Sequence, residues 1–204
     1  MTAFRFVPVL RACAIALGVA AAGAAHAQAD FPNRPVTLIV SAAPGGTTDI
    51  AARLIAQPLG AALGQSVVVE NKPGASGGIA AQAVARAKPD GYTLLLQYSG
   101  FQVITPHVTP TSGWDPIKDF APVANVLSAP QVVVVRPDLP IKSLKDLVAY
   151  AKANPGKLNY ASSGNGSLQQ VATELLNQMA GTQITHIPYK GTGPALNDLL
   201  GGAV

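Results

Sequence analysis

The sequence predicts an α/β protein built as two similar lobes, and three observations carry that expectation. Short β-branched apolar runs recur, each followed by a glycine-rich or polar turn and then a helix-like segment. Such alternation implies parallel sheets joined by right-handed crossovers. The order occurs twice, once on each side of an irregular stretch, and about 100 residues per lobe is an ordinary domain size. With 49% hydrophobic and 12% charged residues, the chain also lacks the composition of a disordered one.

Part of that apolarity sits at the N-terminus. Arg5 and Arg11 precede ACAIALGVAAAGAA, 14 uncharged residues that lead into Ala25-His26-Ala27. A basic start, a short apolar core and an A-x-A site make a secretory signal peptide, with cleavage expected after Ala27. A membrane span takes about 20 apolar residues, so the run is short for an anchor. A lipoprotein anchor through Cys13 fits poorly, because Arg11 lies just before it and the apolar stretch mostly follows it. The expected organisation is then residues 1–27 as leader, 28–128 as the first lobe and 129–204 as the second.

Cleavage removes two of the 14 basic residues and none of the 10 acidic ones, leaving a net charge of +2. That mild balance gives no case for nucleic acid, which needs a clustered basic face. The leader also takes the single Cys, so disulfide and thiol chemistry are excluded from the mature chain. His107 and His186 stand far apart without Cys or paired carboxylates at ligand spacing, which argues against zinc.

The elements follow in order. VTLIV (36–40) reads as a strand buried on both faces. The loop SAAPGGTTD leads into IAARLIAQPLGAALG, where Ile50, Leu54, Leu59 and Leu63 fall near helical spacing and Pro58 should kink or split the helix. VVVE (67–70) is a second strand, NKPGASGG a turn, IAAQAVARA a short helix, and YTLLLQ (92–97) a third strand. Ser99 to Ala121, rich in Pro, Thr and Gly, reads as surface connection. QVVVVR (131–136) should open the second set of strands. SLKDLVAYAKANPG is a helix capped by Ser143, with Asp146 as its capping-box partner. LNYA, a loop and LQQVATELLNQMA follow, then QITHIPY as a strand and GTGPALNDLL as a helix with Pro194 in its first turn. Because the chain ends at LLGGAV, where a strand is due, at least one closing segment is expected to be missing.

Two strand-to-helix junctions carry the chemistry. In YASSGNGSLQQ, Ser167 is a good N-cap and Gln170 occupies the capping-box position. The first turn of that helix presents unpaired N–H groups and the positive end of its dipole. Gly164 and Gly166 open the backbone to a ligand, while Ser162, Ser163 and Ser167 add hydroxyls. In an open parallel sheet, ligands bind at the carboxyl ends of the strands. A plain capped turn with no ligand remains the alternative. Phosphate-loop spacing fails because Leu168 follows Ser167 with no Lys, and the dinucleotide pattern fails because Gln169 stands where its third Gly belongs. No cofactor motif is therefore present. GNGS also lacks the order of a nucleophile elbow, and no histidine is placed as a base, which argues against a hydrolase.

The first lobe repeats the junction. Gly45 and Gly46 free the backbone, Thr47 or Thr48 can cap, and Asp49 falls in the first helical turn. The Asp49 carboxylate has two open readings: a dipole-stabilised helix residue, or an acceptor for a ligand amine, hydroxyl or bridging water. Two helix N-termini aimed at one cleft would suit a small molecule with a carboxylate at each end. Such a secreted protein would close by hinge motion.

At these residues a resemblance becomes specific. PNRPVTLIVSAAPGGTTDIAARLIA, GQSVVVENKPGASGGIAAQAVARAKPDGYTLLL, WDPIKDFAPV, NPGKLNYASSGNGS and THIPYKGTGPALNDLLGG resemble the periplasmic solute-binding subunits of the tripartite tricarboxylate transporter system, the Bug-type (TctC-like) family. The likeness runs in collinear blocks from Phe31 to the last residue. It implies a type II periplasmic-binding-protein fold with two Rossmann-like lobes and a ligand cleft between them. It also implies a monomeric, non-enzymatic binder that passes a small carboxylate to membrane permease subunits. By position, Gly46, Thr47, Thr48 and Asp49 form one grip and Ser162 through Ser167 the other. Ser99 and the Tyr189-Lys190-Gly191 loop fall at further cleft-lining positions; for Tyr189 and Lys190 a surface turn is the alternative. The chain departs from the family at Pro44, at Gln170 and Val171, and in length, since members continue for roughly another hundred residues. A truncated remnant without function of its own is the second reading.

Overall fold

The computed structural model describes residues 31–109 and 113–204. The expected signal peptide, its cleavage after Ala27 and the Cys13 alternative lie outside those residues. Met1–Asn33 and Arg34–Val204 are separate units, and of the first only Phe31–Asn33 are described, with a cis Phe31–Pro32 bond.

In Arg34–Val204 a parallel sheet comes first, from β1 (Val36–Val40), β2 (Val67–Asn71) and β3 (Thr93–Leu96) in the order β2-β1-β3. The central strand is the most apolar, as burial on both faces demands. Val36, Leu38, Ile39 and Val40 are all buried, and Leu38 faces Val69 on one side and Leu94 on the other. The edge strand β2 alternates, with Val67 and Val69 half-buried and Val68 and Glu70 exposed. Helix α1 (Thr47–Leu63) packs Ala52 against Leu38 and Val40, with Ile55 alongside. It runs unbroken through Pro58, which is exposed, and ends at Gly64 in the left-handed conformation. The first set is completed by α2 (Gly78–Ala85).

A second parallel pair joins β4 (Asn159–Ser162) to β5 (Thr185–Pro188), with Tyr160 opposite His186. Helices α5 (Leu144–Ala153), α6 (Leu168–Ala180) and α7 (Thr192–Gly201) accompany it. Two caps form at the serines expected. Ser143 Oγ accepts the Asp146 N–H at 3.2 Å, and Ser167 Oγ accepts the Gln170 N–H at 3.2 Å. In both, the reciprocal bond reaches one residue further than a capping box. Asp146 accepts from Lys142 N–H, and Gln170 from Gly166 N–H.

Three further expectations are corrected. Residues 131–136 form no strand. A strand exists only through backbone pairing, and Val132, Val133 and Val134 stand exposed without it. The described part of Ser99 to Ala121 is not mere surface connection. It holds two short helices, α3 (Ser99–Val103) and α4 (Thr105–Val108), whose Phe101 and Thr105 are buried. Finally, α1 is capped by neither Thr47 nor Thr48; its N-cap is Gly46, and Thr47 is already helical. Among the described residues, no helix is long and apolar enough to cross a membrane.

Leu38→Ala should cost about 2–5 kcal/mol in urea unfolding, because it empties the contact between β1 and α1. Val133→Ser should change stability by less than about 0.5 kcal/mol, since that side chain is not packed.

Candidate functional site

Parallel strands end on the same side of their sheet, so the loops after β1, β2 and β3 gather there, and those after β4 and β5 join them. The backbone N–H groups of the loop after β1 tie it at three points. Ser41 N–H donates to Leu96 O and Ala43 N–H to Lys190 O, at 3.3 and 2.9 Å. Gly45 turns with φ +82°, and its N–H donates to Asp49 Oδ2 at 3.0 Å.

Asp49 is the organiser of this loop. Its side chain is 4% exposed, and it accepts from Gly45, from Arg53 Nε at 3.1 Å and from Asn71 Nδ2 at 2.9 Å. The Asn71 amide also donates to Ala42 O, so one side chain at the end of β2 holds both the loop and the helix. Burial acts to raise the Asp49 pKa, but the hydrogen bonds from Arg53, Gly45 and Asn71 outweigh it and hold the carboxyl below its usual value. Its oxygens are thus engaged by protein donors. Thr47 and Thr48 are the reachable polar groups of this turn, and Thr47 N–H donates to Thr192 Oγ1 at 3.3 Å. The starts of α1 and α7 interlock so closely that a Cβ on Gly193 would lie 2.5 Å from Pro44 O.

The loop after β4 is built by its serines and glycines. Ser162, Ser163 and Ser167 are buried, whereas Asn165 is exposed. Both glycines are required by the protein's own packing. Gly164 has φ +136°, and its Cβ would sit 3.0 Å from Ser76 Oγ. Gly166 has φ +73°, and its Cβ would meet Val108 Cγ2 at 2.7 Å. Ser167 serves α6 as its cap. Ser163 Oγ donates to Gln169 Oε1 at 3.0 Å and receives the Tyr98 hydroxyl at 2.8 Å. Tyr98, which sequence reasoning passed over, therefore reaches from the end of β3 to the start of α6. Its ring packs on Phe101 at 4.5 Å. Burial raises its pKa, while Ser163, Ser167 and the Leu168 N–H act the other way. Ser99, next in the chain, is exposed at the first position of α3.

Two further features escaped the sequence reading. The turn after β2 holds Ala75 and Ser76 at φ +46° and +50°, a region non-glycine residues seldom occupy. Ser76 O accepts from Thr105 Oγ1, and Ser76 faces Gly164. The available signal was the glycine-rich GASGG after a strand, which repeats the grammar of the other two junctions. The second is the contact made by His186, a residue the sequence offers but cannot place: its Nε2 lies 2.6 Å from Ser162 Oγ, with its ring stacked on Tyr160 at 4.9 Å. Burial lowers the His186 pKa and the Glu174 charge opposes it. A serine and a histidine do meet, then, but not as a nucleophile and base. Ser162 is 2% exposed, and its oxygen is bonded to Gly164 N–H and C=O. His107 is exposed at the end of α4. Tyr189 directs its hydroxyl to Asp198 at 2.6 Å, a bond that raises its pKa, while its N–H pairs with Ser162 O.

The structure thus brings Gly46–Asp49, Ser99, Ser162–Ser167 and Tyr189 into one set of converging loops. Two concavities of about 760 and 610 Å³ lie elsewhere, one beside Arg53, Gln57 and Gln65, the other beside Val134, Tyr150 and Leu199. None of the residues expected at the site lines either. Among the described residues, no group of three potential metal ligands gathers.

Comparison with known proteins gives this geometry its context. Residues 51–204 match the family described as "Tripartite tricarboxylate transporter family receptor". BugT of Bordetella pertussis is 43% identical over 193 residues, covering 93% of this chain and 59% of its own. MatC of Rhodopseudomonas palustris, solved with bound malate, superposes with a TM-score of 0.79 at 39% identity, over 85% of this chain and 59% of its own. An R. palustris protein solved with adipate gives 0.76 at 42% identity, over 86% and 58%. The chain spans just under three fifths of the length of these relatives.

Asp49→Asn should cost about 1.5–3 kcal/mol at neutral pH, by weakening hydrogen bonds to a charged acceptor. A carboxyl with a depressed folded pKa stabilises above its unfolded value near 3.9, and the effect is lost as the pH falls through the folded value. The gap between the wild-type and Asp49→Asn melting curves should therefore narrow as the pH drops from 4 towards 2. Gly166→Ala should destabilise by roughly 1–2 kcal/mol on left-handed backbone strain alone, and Gly166→Val by more. Urea titration checks both.

Proposed function

The chain belongs to the tripartite tricarboxylate transporter receptor (TctC) family, a family of periplasmic solute-binding proteins rather than enzymes, and on that premise we propose that it captures a small carboxylate. The observation that supports this most is the pairing of two glycine-marked helix starts, at Gly46 and Ser167, on one side of parallel strands. Backbone N–H groups in the first turns of α1 and α6 are the donors for carboxylate oxygens. Exposed Thr47, Ser99 and Asn165 and half-buried Thr48 supply polar groups beside them. Asp49 acts indirectly, by fixing the loop that presents Gly46 and Thr47.

The malate and adipate bound by two structural neighbours are both dicarboxylates, which favours a dicarboxylate among the candidates. Tricarboxylates, acidic amino acids and aromatic acids would use the same donors. We place the chain in the periplasm, exported by residues 1–27, as a monomer that hands its ligand to membrane permease subunits. In this reading the lobes are residues 28–128 and 129–204, with lobe 1 closed by sequence of the kind its longer relatives carry. A family remnant without function of its own is the competing reading, supported by the unpaired run 131–136.

A thermal melt with millimolar succinate, malate, citrate, glutamate or benzoate separates the two. A ligand at 100 times its Kd adds about 2.7 kcal/mol, so one carboxylate should raise the midpoint of a cooperative transition. A cooperative melt that none of them shifts would overturn carboxylate capture. A broad transition would support the remnant.

A further inference from the structure

We propose that His186 is a positioning residue for the loop Ser162–Ser167, acting through the Ser162 hydroxyl as an Nε2–H donor; this rests on the reading of that loop as a carboxylate grip.

Three polar groups surround one hydroxyl. Gly164 N–H donates to Ser162 Oγ at 3.1 Å, Ser162 Oγ lies 3.2 Å from Gly164 O, and His186 Nε2 lies 2.6 Å away. A serine hydroxyl has one proton and two lone pairs. Gly164 N–H takes one lone pair and Gly164 C=O takes the proton. If both Gly164 bonds are kept, the group left for His186 is a lone pair, and its Nε2 then carries the hydrogen. Were Nε2 bare, it would compete with Gly164 O for the single proton, and one arm of the turn would be lost. Keeping both arms of the turn therefore calls for the Nε2–H tautomer.

The sheet register puts the histidine there. Tyr160 and His186 are paired across β4 and β5, and Ser162 lies two residues beyond Tyr160, on the same face. Tyr160 stacks on the imidazole and donates its own hydroxyl to Glu174 at 2.7 Å, which holds the ring between two elements. Gly164 needs that support. Its φ of +136° is broadly open only to glycine, and a Cβ there would meet Ser76 Oγ and Tyr189 O. His186 thus clamps the turn through the buried Ser162 hydroxyl, while Asn165 between the two glycines stays exposed.

The test begins without ligand. Nitrogen-15 NMR of the imidazole should show hydrogen on Nε2 and a bare Nδ1 at neutral pH; the opposite tautomer overturns the proposal. Amide exchange at Gly164 should quicken in His186→Phe, which keeps an aromatic ring but no donor, and recover in His186→Gln, whose amide can donate from a similar place. Equal exchange in all three proteins overturns it, whatever the carboxylate result. With malate as probe, His186→Phe should bind roughly tenfold more weakly, the scale of one lost hydrogen bond, and His186→Gln should recover most of that. If wild type binds none of the carboxylates, the carboxylate reading fails, while the tautomer and the Gly164 exchange still decide the role of His186. If His186→Phe does not fold, Ser162→Ala removes the acceptor of Gly164 N–H together with the link to His186 and should quicken Gly164 exchange at least as much, while the wild-type tautomer still decides the donor; unchanged exchange in Ser162→Ala, or hydrogen on Nδ1, overturns the proposal.

Discussion

A buried carboxylate fixes the geometry of the first junction. Asp49 is withdrawn from water and would be costly there without partners. It has three, and each comes from a different place: the loop at Gly45, the same helix at Arg53 and the end of β2 at Asn71. The glycine turn, the start of α1 and the edge strand are thereby referred to one point. The contacts from this loop to Lys190 and Thr192 extend that reference to the start of α7.

The loop after β4 reaches the same kind of rigidity without a charge. Hydroxyls do the work: Ser162 with His186, Ser163 with Tyr98 and Gln169, Ser167 with the α6 amide. Neutral hydrogen bonds each contribute less than a charged one, and the loop compensates by number and by burial. Its glycines serve close approach, as expected, but the approaching atoms belong to Ser76, Tyr189, Thr105 and Val108. A ligand would meet a surface shaped in advance, which reduces the ordering cost of binding.

Much of this was legible because it is local. VTLIV forms a strand over its whole predicted length, and Ser143 and Ser167 cap the helices they were expected to cap. These depend on periodicity and on side-chain reach over three residues. What could not be read depends on register or on partners distant in sequence. Ser162 and His186 are 24 residues apart and meet only because β4 and β5 pair with Tyr160 opposite His186. The contact of Tyr98 with Ser163 spans 65 residues. Pro58 does not split α1, which carries it at an exposed position. QVVVVR was overvalued as a strand, because composition supplies propensity but not a neighbour.

That last run has a consequence for the protein in concentrated solution. Val132, Val133 and Val134 are exposed, β-branched and uncharged, which is the character of a segment that pairs with its own copies in cross-β assemblies. The chain brackets the run with Pro130 on one side and Arg136-Pro137 on the other. Prolines withhold a backbone donor, and a positive charge repeats unfavourably when identical segments stack. The flanking residues thus act as gatekeepers, limiting a polymerising tendency that the valines alone would carry.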